Sequence, residues 1–227
     1  MPRRKRVKTG GLVFHVLNRA VARDKIFWKP ADFEAFETVL QEARDWVPMR
    51  LLAYCVMPNH WHLVVWPRGD DALSEYMRWL TVTHTKRWHA HYHSSGTGAL
   101  YQGRFKSFPM QQDDHFLTVC RYVERNALRA NLVKRAEDWR WSSLWHRMHG
   151  STAVSLDAWP IPMGREWVAH VNRAETEAEL SGLRRSVVRG TPFGQTDWLE
   201  RTARKLGLEC TLRPRGRPHK KSPRPAE

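Results

Sequence analysis

The sequence is poor in cysteine and has no long apolar run. Only three of its 227 residues are cysteine, and Cys55, Cys120 and Cys210 form no Cys-x-x-Cys pair. Their wide spacing favours a reducing compartment and argues against a structural zinc ribbon. No run of about 18 apolar residues is present to span a bilayer. The basic N-terminal arm, residues 1–9, lacks the apolar segment of a signal peptide. We therefore expect a soluble, cytoplasmic protein without a membrane partner.

Acidic residues are also scarce relative to basic ones. Asp and Glu number 23 against 38 Lys and Arg, which gives a net charge of +15 and a pI near 10.4. This excess of positive charge is typical of proteins that neutralise phosphates, so nucleic acid is the expected partner. Acidic lipids and acidic proteins are the alternatives that charge alone leaves open.

A histidine pair stands in the middle of residues 54–66. Pro58-Asn59 interrupts an apolar run, which restarts as a strand-like segment beginning His60-Trp61-His62. Because side chains alternate along a strand, both imidazoles are predicted on one face and Trp61 on the other. Two histidines on one face are half of a metal site, but the same alternation occurs in ordinary half-buried strands. The pattern alone does not decide between these interpretations.

Strand-like and helix-like segments alternate around this pair. Apolar spacing predicts strands over residues 12–17, 49–57, 60–66 and 101–110, and helices that begin near Pro30, Ala72 and His115. His15 in the first strand faces either the surface of His60 and His62 or an ordinary strand surface. The second helix ends in a histidine-rich stretch, residues 84–93, which is either a metal site or, because these histidines do not share a helix face, a solvated basic helix end.

The third predicted helix, running from His115 to Asn126, carries a second group of polar residues. Tyr122 and Asn126 are four residues apart and so lie on one helix face. They are suited to present a hydroxyl nucleophile and an oxygen ligand to one site, although a half-buried structural tyrosine is the simpler interpretation of Tyr122 alone. Basic residues close to them in the sequence or in the fourth strand are candidate phosphate contacts: Arg104, Lys106, Arg121 and Arg125.

Four segments together resemble a known family, the REP-associated tyrosine transposases, which are single-tyrosine members of the HUH class. The segments are residues 57–66, 101–107, 121–133 and 141–143. The resemblance covers roughly residues 10–150. It implies an α+β, ferredoxin-like fold: an antiparallel sheet with the two histidines on a central strand, helices on one face, and a tyrosine on a following helix facing a metal ion.

The resemblance also implies roles for individual residues. Tyr122 is the nucleophile, and His60 and His62 hold a divalent metal, Mg²⁺ or Mn²⁺, of which Mn²⁺ accepts imidazole more readily. Asn126 is a third ligand, although an asparagine can equally cap a helix or bridge water. The implied function is cleavage and rejoining of single-stranded DNA at hairpin-forming repeats through a covalent phosphotyrosine.

Two alternatives remain open at this point: a catalytically silent hairpin-binding protein of the same fold, and a metal-dependent nuclease that uses water. The expected partner is single-stranded DNA with a hairpin, and the expected setting is the bacterial nucleoid. The motif is the same in a monomer and in a homodimer, whether Tyr122 serves its own chain or a partner.

Residues 151–212 form a predicted helical extension and residues 213–227 a disordered basic tail. The extension has helical spacing over residues 164–189 and again from Thr196 to Gly207, an arrangement that resembles a helix-turn-helix. In the tail, Arg215 and Arg217 belong to an Arg-Gly-Arg-Pro sequence similar to an AT-hook, whose arginines enter the minor groove. The alternative is a tail that binds phosphates without sequence preference.

Overall fold

A four-stranded antiparallel sheet organises the chain. The computed structural model describes Val7, residues 9–150 and residues 154–213. The strands are β1 (Val13–Arg19), β2 (Met49–Met57), β3 (His60–Pro67) and β4 (Lys106–Met110). Their order across the sheet is β2-β3-β1-β4, and all neighbours are antiparallel. Together with α1 (Pro30–Trp46) after β1 and α2 (Ala72–His91) after β3, this is the predicted ferredoxin-like arrangement.

Both faces of the sheet are covered, whereas the sequence analysis placed the helices on one face. Trp61 and Leu63 on β3 pack in one apolar cluster with residues of α1 and α2, such as Phe36. On the opposite face, Val64 shares a second cluster with Phe116 of α3 (Asp114–Glu124). Because both faces of the sheet are covered, β1 and β3 are almost wholly buried, including His15 and His62. His60 and His62 therefore lie on the α3 face, opposite Trp61.

Further helices follow α3 in the described part of the chain. They are α4 (Asn126–Arg129), α5 (Ser143–His149), α6 (Trp167–Asn172), α7 (Glu177–Arg189) and α8 (Thr196–Lys205). The single helix predicted over residues 164–189 is wrong, because Arg173 is extended and ends α6. Thr176 then begins α7 with a capping box, its hydroxyl accepting from the Glu179 N–H while the Glu179 carboxylate accepts from the Thr176 N–H.

The extension is joined to the sheet at β4. The Phe193 N–H donates to the Pro109 carbonyl at 2.9 Å, and the Gln111 N–H donates to the Phe193 carbonyl at 2.9 Å. Pairing of this kind covers the otherwise open edge of a sheet. The extension therefore packs against the sheet directly, while Arg215 and Arg217 lie outside the described residues. Within the described ranges, no helix is both long and apolar enough to cross a membrane.

A buried polar chain lies beneath the histidine strand. The Trp61 Nε1–H donates to the Tyr101 hydroxyl at 3.0 Å, and that hydroxyl lies 2.7 Å from His84 Nδ1. All three side chains are buried. His84, in the last part of α2, is therefore part of the protein core. Two other histidines near the end of α2 have hydrogen-bond partners: His89 Nδ1 contacts the Ser94 hydroxyl, and His91 Nε2 contacts the Lys29 ammonium group.

Burial of His84 predicts loss of stability in acid. Burial lowers the pKa of His84 to about 3, below the value near 6.5 expected in the unfolded chain. The unfolded chain therefore binds the proton first, so the stabilisation present above pH 6.5 declines as pH falls toward 3. Between pH 6.5 and 5, wild type should lose about 2 kcal/mol more unfolding free energy than His84→Gln, which keeps an acceptor for Tyr101. Urea unfolding at both pH values measures this, and equal losses in the two proteins would contradict it.

Candidate active site

The first histidine is fixed by the turn that precedes it. The Pro58 carbonyl accepts from the N–H groups of Ile26 and Phe27 at 2.9 and 3.1 Å, so the loop after β1 holds this turn in place. His60 Nδ1 lies 2.6 Å from Asn59 Oδ1. An imidazole whose Nδ1–H is bonded in this way has its Nε2 lone pair available to a ligand.

The second histidine is almost fully buried and has another histidine as its partner. His62 Nδ1 lies 2.8 Å from His15 Nε2, with the two rings stacked and their centroids 5.0 Å apart. The centroids of His60 and His62 are also 5.0 Å apart. Burial, followed by the charges of Arg19 and Arg129, lowers the pKa of His60 to about 3. Burial and neighbouring charges also hold the pKa of His62 well below its usual value. Both imidazoles are therefore neutral at pH 7, the form that binds metals.

Tyr122 faces this histidine group from α3. Its ring meets those of His62 and His15 edge-on, with centroids 5.8 and 6.2 Å away. The helical hydrogen bonds continue from α3 into α4, as in the Arg125 N–H donating to the Arg121 carbonyl at 2.9 Å. Tyr122 and Asn126 therefore remain one turn apart, as the spacing predicts. Asn126 is buried.

The two histidines, Tyr122 and Asn126 line a common cavity with basic residues. A cavity of about 860 Å³ is bordered by His60, His62, Tyr122 and Asn126, together with Arg104 and Lys106 from the sheet side. Arg104 and Lys106 are exposed, and neither forms an ion pair with another described residue. Unpaired cations at the border of an open cavity are suited to phosphate. The cavity thus brings together a tyrosine, two neutral imidazoles and positive charge.

The donor set at the cavity fits a divalent cation. Asn126 Nδ2 is buried without a hydrogen-bond partner among the described residues, so its amide is not committed to a structural bond through that atom. Nowhere in the described ranges do three or more His, Cys, Asp or Glu side chains form a metal-binding group. The side chains that would hold a cation here are His60 and His62, with the Asn126 amide oxygen as the remaining protein donor. Imidazole and amide donors suit Mn²⁺ better than Mg²⁺.

Comparison with known proteins decides the family. The family described as "Transposase IS200 like" matches residues 8–126, slightly more than half of the chain. The chain belongs to the IS200-like transposase family. The matched segment includes the histidine pair, Tyr122 and Asn126. No curated protein sequence matches the chain.

Solved structures show that this IS200-like transposase has a known fold. One is a REP-associated tyrosine transposase bound to a REP hairpin, with a TM-score of 0.54 and 17% sequence identity over 72% of this chain and 100% of that one. Another is a proposed transposase from Deinococcus radiodurans, with a TM-score of 0.38 and 17% identity over 54% of this chain and 96% of that one. The first comparison confirms the α+β fold, and the second is too distant to support an argument.

The structure corrects the prediction for Arg121 and Arg125 in this IS200-like transposase. Arg121 is buried and donates to the carbonyls of Arg173 and Ala174 at 2.8 and 2.9 Å. Arg125 donates to the carbonyls of Asn172 and Val171 at 2.6 and 3.1 Å. These carbonyls belong to the end of α6 and the segment after it, where cations stabilise a helix terminus. Both arginines therefore hold the extension against α3 and are not available to DNA.

Arg129 completes this row of arginines and is also part of the cavity. It donates to a Glu175 carboxylate oxygen at 3.0 Å, and its Cζ lies 4.0 Å from the centroid of the Tyr122 ring. The cavity also includes Arg19 and residues 187–190 of α7 and its C-terminal cap. The sequence alone does not indicate that Arg129, Arg19 and residues 187–190 border the same cavity. The register of β1 places Arg19 opposite His60, and only the sheet register could have indicated it.

Removing the Arg125 side chain tests its structural role. Arg125→Met is expected to lower the free energy of unfolding by about 2 kcal/mol, since hydrogen bonds from a charged donor are lost. Amide hydrogen exchange in α6 and α7 should increase. The matched control is Arg184→Met, because Arg184 and its partner Glu177 are both exposed, and it should change stability by less than about 0.5 kcal/mol. Equal exchange in the two variants would show that the extension does not depend on Arg125.

Proposed function

We propose that this chain cleaves and rejoins single-stranded DNA beside hairpin-forming repeats, through a covalent phosphotyrosine on Tyr122. The observation that carries the proposal is the position of the Tyr122 ring, 5.8 Å from that of His62, beside a cavity that Arg104 and Lys106 border. The hairpin-bound transposase of similar fold supports a DNA hairpin as the ligand. Membership of a transposase family supports strand transfer rather than hydrolysis alone.

Tyr122 supplies the nucleophile in the proposed reaction. Its phenol oxygen forms a bond to phosphorus, its proton passes to water, and the bond from phosphorus to the leaving sugar oxygen breaks as that oxygen takes up a proton. The phosphotyrosine conserves the energy of the phosphodiester. A later sugar hydroxyl can then reverse the step, with Tyr122 as leaving group, and join a strand without ATP.

Positive charge at the cavity stabilises the transferring phosphate. A divalent cation held by His60, His62 and Asn126 would supply charge to the nonbridging oxygens. Arg104, just before β4, and Lys106, at its start, extend the positive surface along the border of the cavity, where they bind neighbouring phosphates. Arg129, whose guanidinium lies over the Tyr122 ring, places a further positive charge beside the proposed nucleophile. Arg215 and Arg217 are proposed DNA contacts beyond the described residues.

Adduct mapping distinguishes this reaction from its two alternatives. The full chain is incubated with Mn²⁺ and a labelled single-stranded oligonucleotide that contains a repeat hairpin, and the products are separated under denaturing conditions. The proposal expects a protein-bound label, and mass spectrometry of the digested adduct should locate the nucleotide on the peptide that contains Tyr122.

Each alternative gives a different result. A nuclease that uses water would release cleaved DNA without an adduct. A silent binding protein would shift the hairpin in a native gel but leave the strand intact. An adduct on a peptide without Tyr122 would also contradict the proposal.

A further inference from the structure

His15 is a buried histidine that the proposed reaction does not use. It lies in β1, has no exposed surface, and sits opposite Val64 in the β1–β3 register. Its Nε2 atom is 2.8 Å from His62 Nδ1. Phe108 provides an apolar contact to the His15 ring, with the two ring centroids 4.9 Å apart. A polar ring in such a place requires an explanation, because burying an imidazole costs free energy unless it is well paired.

The contact between the two histidines determines which nitrogen of His62 can bind a cation. A neutral imidazole carries one N–H, and the nitrogen that binds a metal must be the other one. If His62 Nδ1–H donates to His15 Nε2, the Nε2 lone pair of His62 is available to the cavity that His62 borders. If His15 donates instead, His62 carries its proton on Nε2, and that atom cannot be a ligand.

Metal binding therefore requires the first arrangement, and this arrangement has a cost. The proton of His15 must then be on Nδ1, which is buried without a partner among the described residues. An unpaired buried donor costs about 1–3 kcal/mol. The second arrangement has a comparable cost, because Nδ1 of His15 would then be an unpaired buried acceptor. In the first arrangement His15 accepts from the ring N–H of a metal-binding histidine, which is the contact that residues behind metal ligands make.

We propose that His15 is a positioning residue that holds His62 in the Nδ1–H form and orients its Nε2 toward a divalent cation. The inference rests on the proposed metal site. Two substitutions separate the hydrogen bond from the packing. His15→Phe keeps a ring against Phe108 but removes the acceptor. His15→Gln offers a carbonyl oxygen that can accept from His62 Nδ1–H.

The test is Mn²⁺ binding, followed by the electron paramagnetic resonance signal of free Mn²⁺ and needing no DNA or turnover. We expect the dissociation constant to increase by about 10- to 100-fold in His15→Phe. In His15→Gln it should stay within about threefold of wild type, because the acceptor is restored. The Mn²⁺ concentration for half-maximal cleavage should rise in parallel in His15→Phe. Thermal unfolding verifies that each variant is folded, and His15→Leu replaces His15→Phe if the larger ring prevents folding.

The outcomes are distinguishable. Equal Mn²⁺ affinity in folded His15→Phe or His15→Leu and in wild type would overturn the positioning role and leave the proposed function intact. Equally weak binding in His15→Phe and His15→Gln would also overturn it, since packing and not the acceptor would then matter. A wild-type chain that forms the Tyr122 adduct without binding Mn²⁺ would reject the metal site, and His15's role with it, but not the phosphotyrosine reaction.

Discussion

Replacing Tyr122 by phenylalanine is expected to abolish the covalent adduct and to lower the rate of strand cleavage by more than about a thousandfold. The substitution removes only the hydroxyl, which the proposed reaction uses as the nucleophile. No other tyrosine lines the cavity in the part of the chain that the structure describes. The phenylalanine ring can still stack on Arg129, whose Cζ lies 4.0 Å from the ring centroid in wild type. DNA affinity should therefore change by no more than about twofold.

A second tyrosine provides the matched control. Tyr76 is fully buried in α2, and its hydroxyl donates to the Leu40 carbonyl at 3.3 Å, on the face of the sheet opposite the cavity. Tyr76→Phe should cleave and form the adduct as wild type does. Single-turnover cleavage and a denaturing gel of the protein–DNA adduct measure both variants. Cleavage within tenfold of wild type in Tyr122→Phe would instead favour a nuclease that uses water.

Local sequence patterns predict the four strands and the starts of the first two helices, although β4 begins at Lys106 and not at the predicted residue 101. The predicted strand over residues 49–57 has the same ends as β2, and α1 and α2 begin at Pro30 and Ala72, as predicted. These segments have strong periodicity and clear stops, such as Pro58 and Gly69-Asp70. The relation of Tyr122 to Asn126 also depends on helical spacing alone. This part of the candidate site could therefore be predicted without knowledge of tertiary contacts.

The remainder depends on contacts between distant segments. Arg121 and Arg125 look like surface cations in the sequence, and only the position of residues 171–174 turns them inward. His15 is 47 residues from His62, and the β1–β3 register that brings them together is not encoded in either segment alone. The helical extension was predicted as a separate unit, but its residues 187–190 border the cavity. Long-range packing thus determines which charges remain available for DNA.

The helix that carries Tyr122 also contains a buried carboxylate. Glu124 in α3 has no exposed surface. It accepts from the Ser143 hydroxyl at 2.6 Å and from Trp167 Nε1–H at 2.7 Å, and it forms an ion pair with Arg147 of α5. This group connects α3 to α5 and α6 through a single side chain. A buried charge without a counterion is strongly destabilising, whereas a neutral group in the same place is not.

Arg147→Met is therefore expected to lower the free energy of unfolding by about 3–5 kcal/mol, because it leaves the Glu124 carboxylate buried without its cation. The double variant Glu124→Gln/Arg147→Met should recover at least about 2 kcal/mol of this loss, since the amide oxygen is neutral and still accepts from Ser143 or Trp167. Urea unfolding measures both. The control is Arg140→Met, whose pair with Glu34 is half exposed, and it should cost less than about 1 kcal/mol. If the double variant is no more stable than Arg147→Met, lost packing of Arg147 over Trp159, and not the unpaired charge, accounts for the destabilisation.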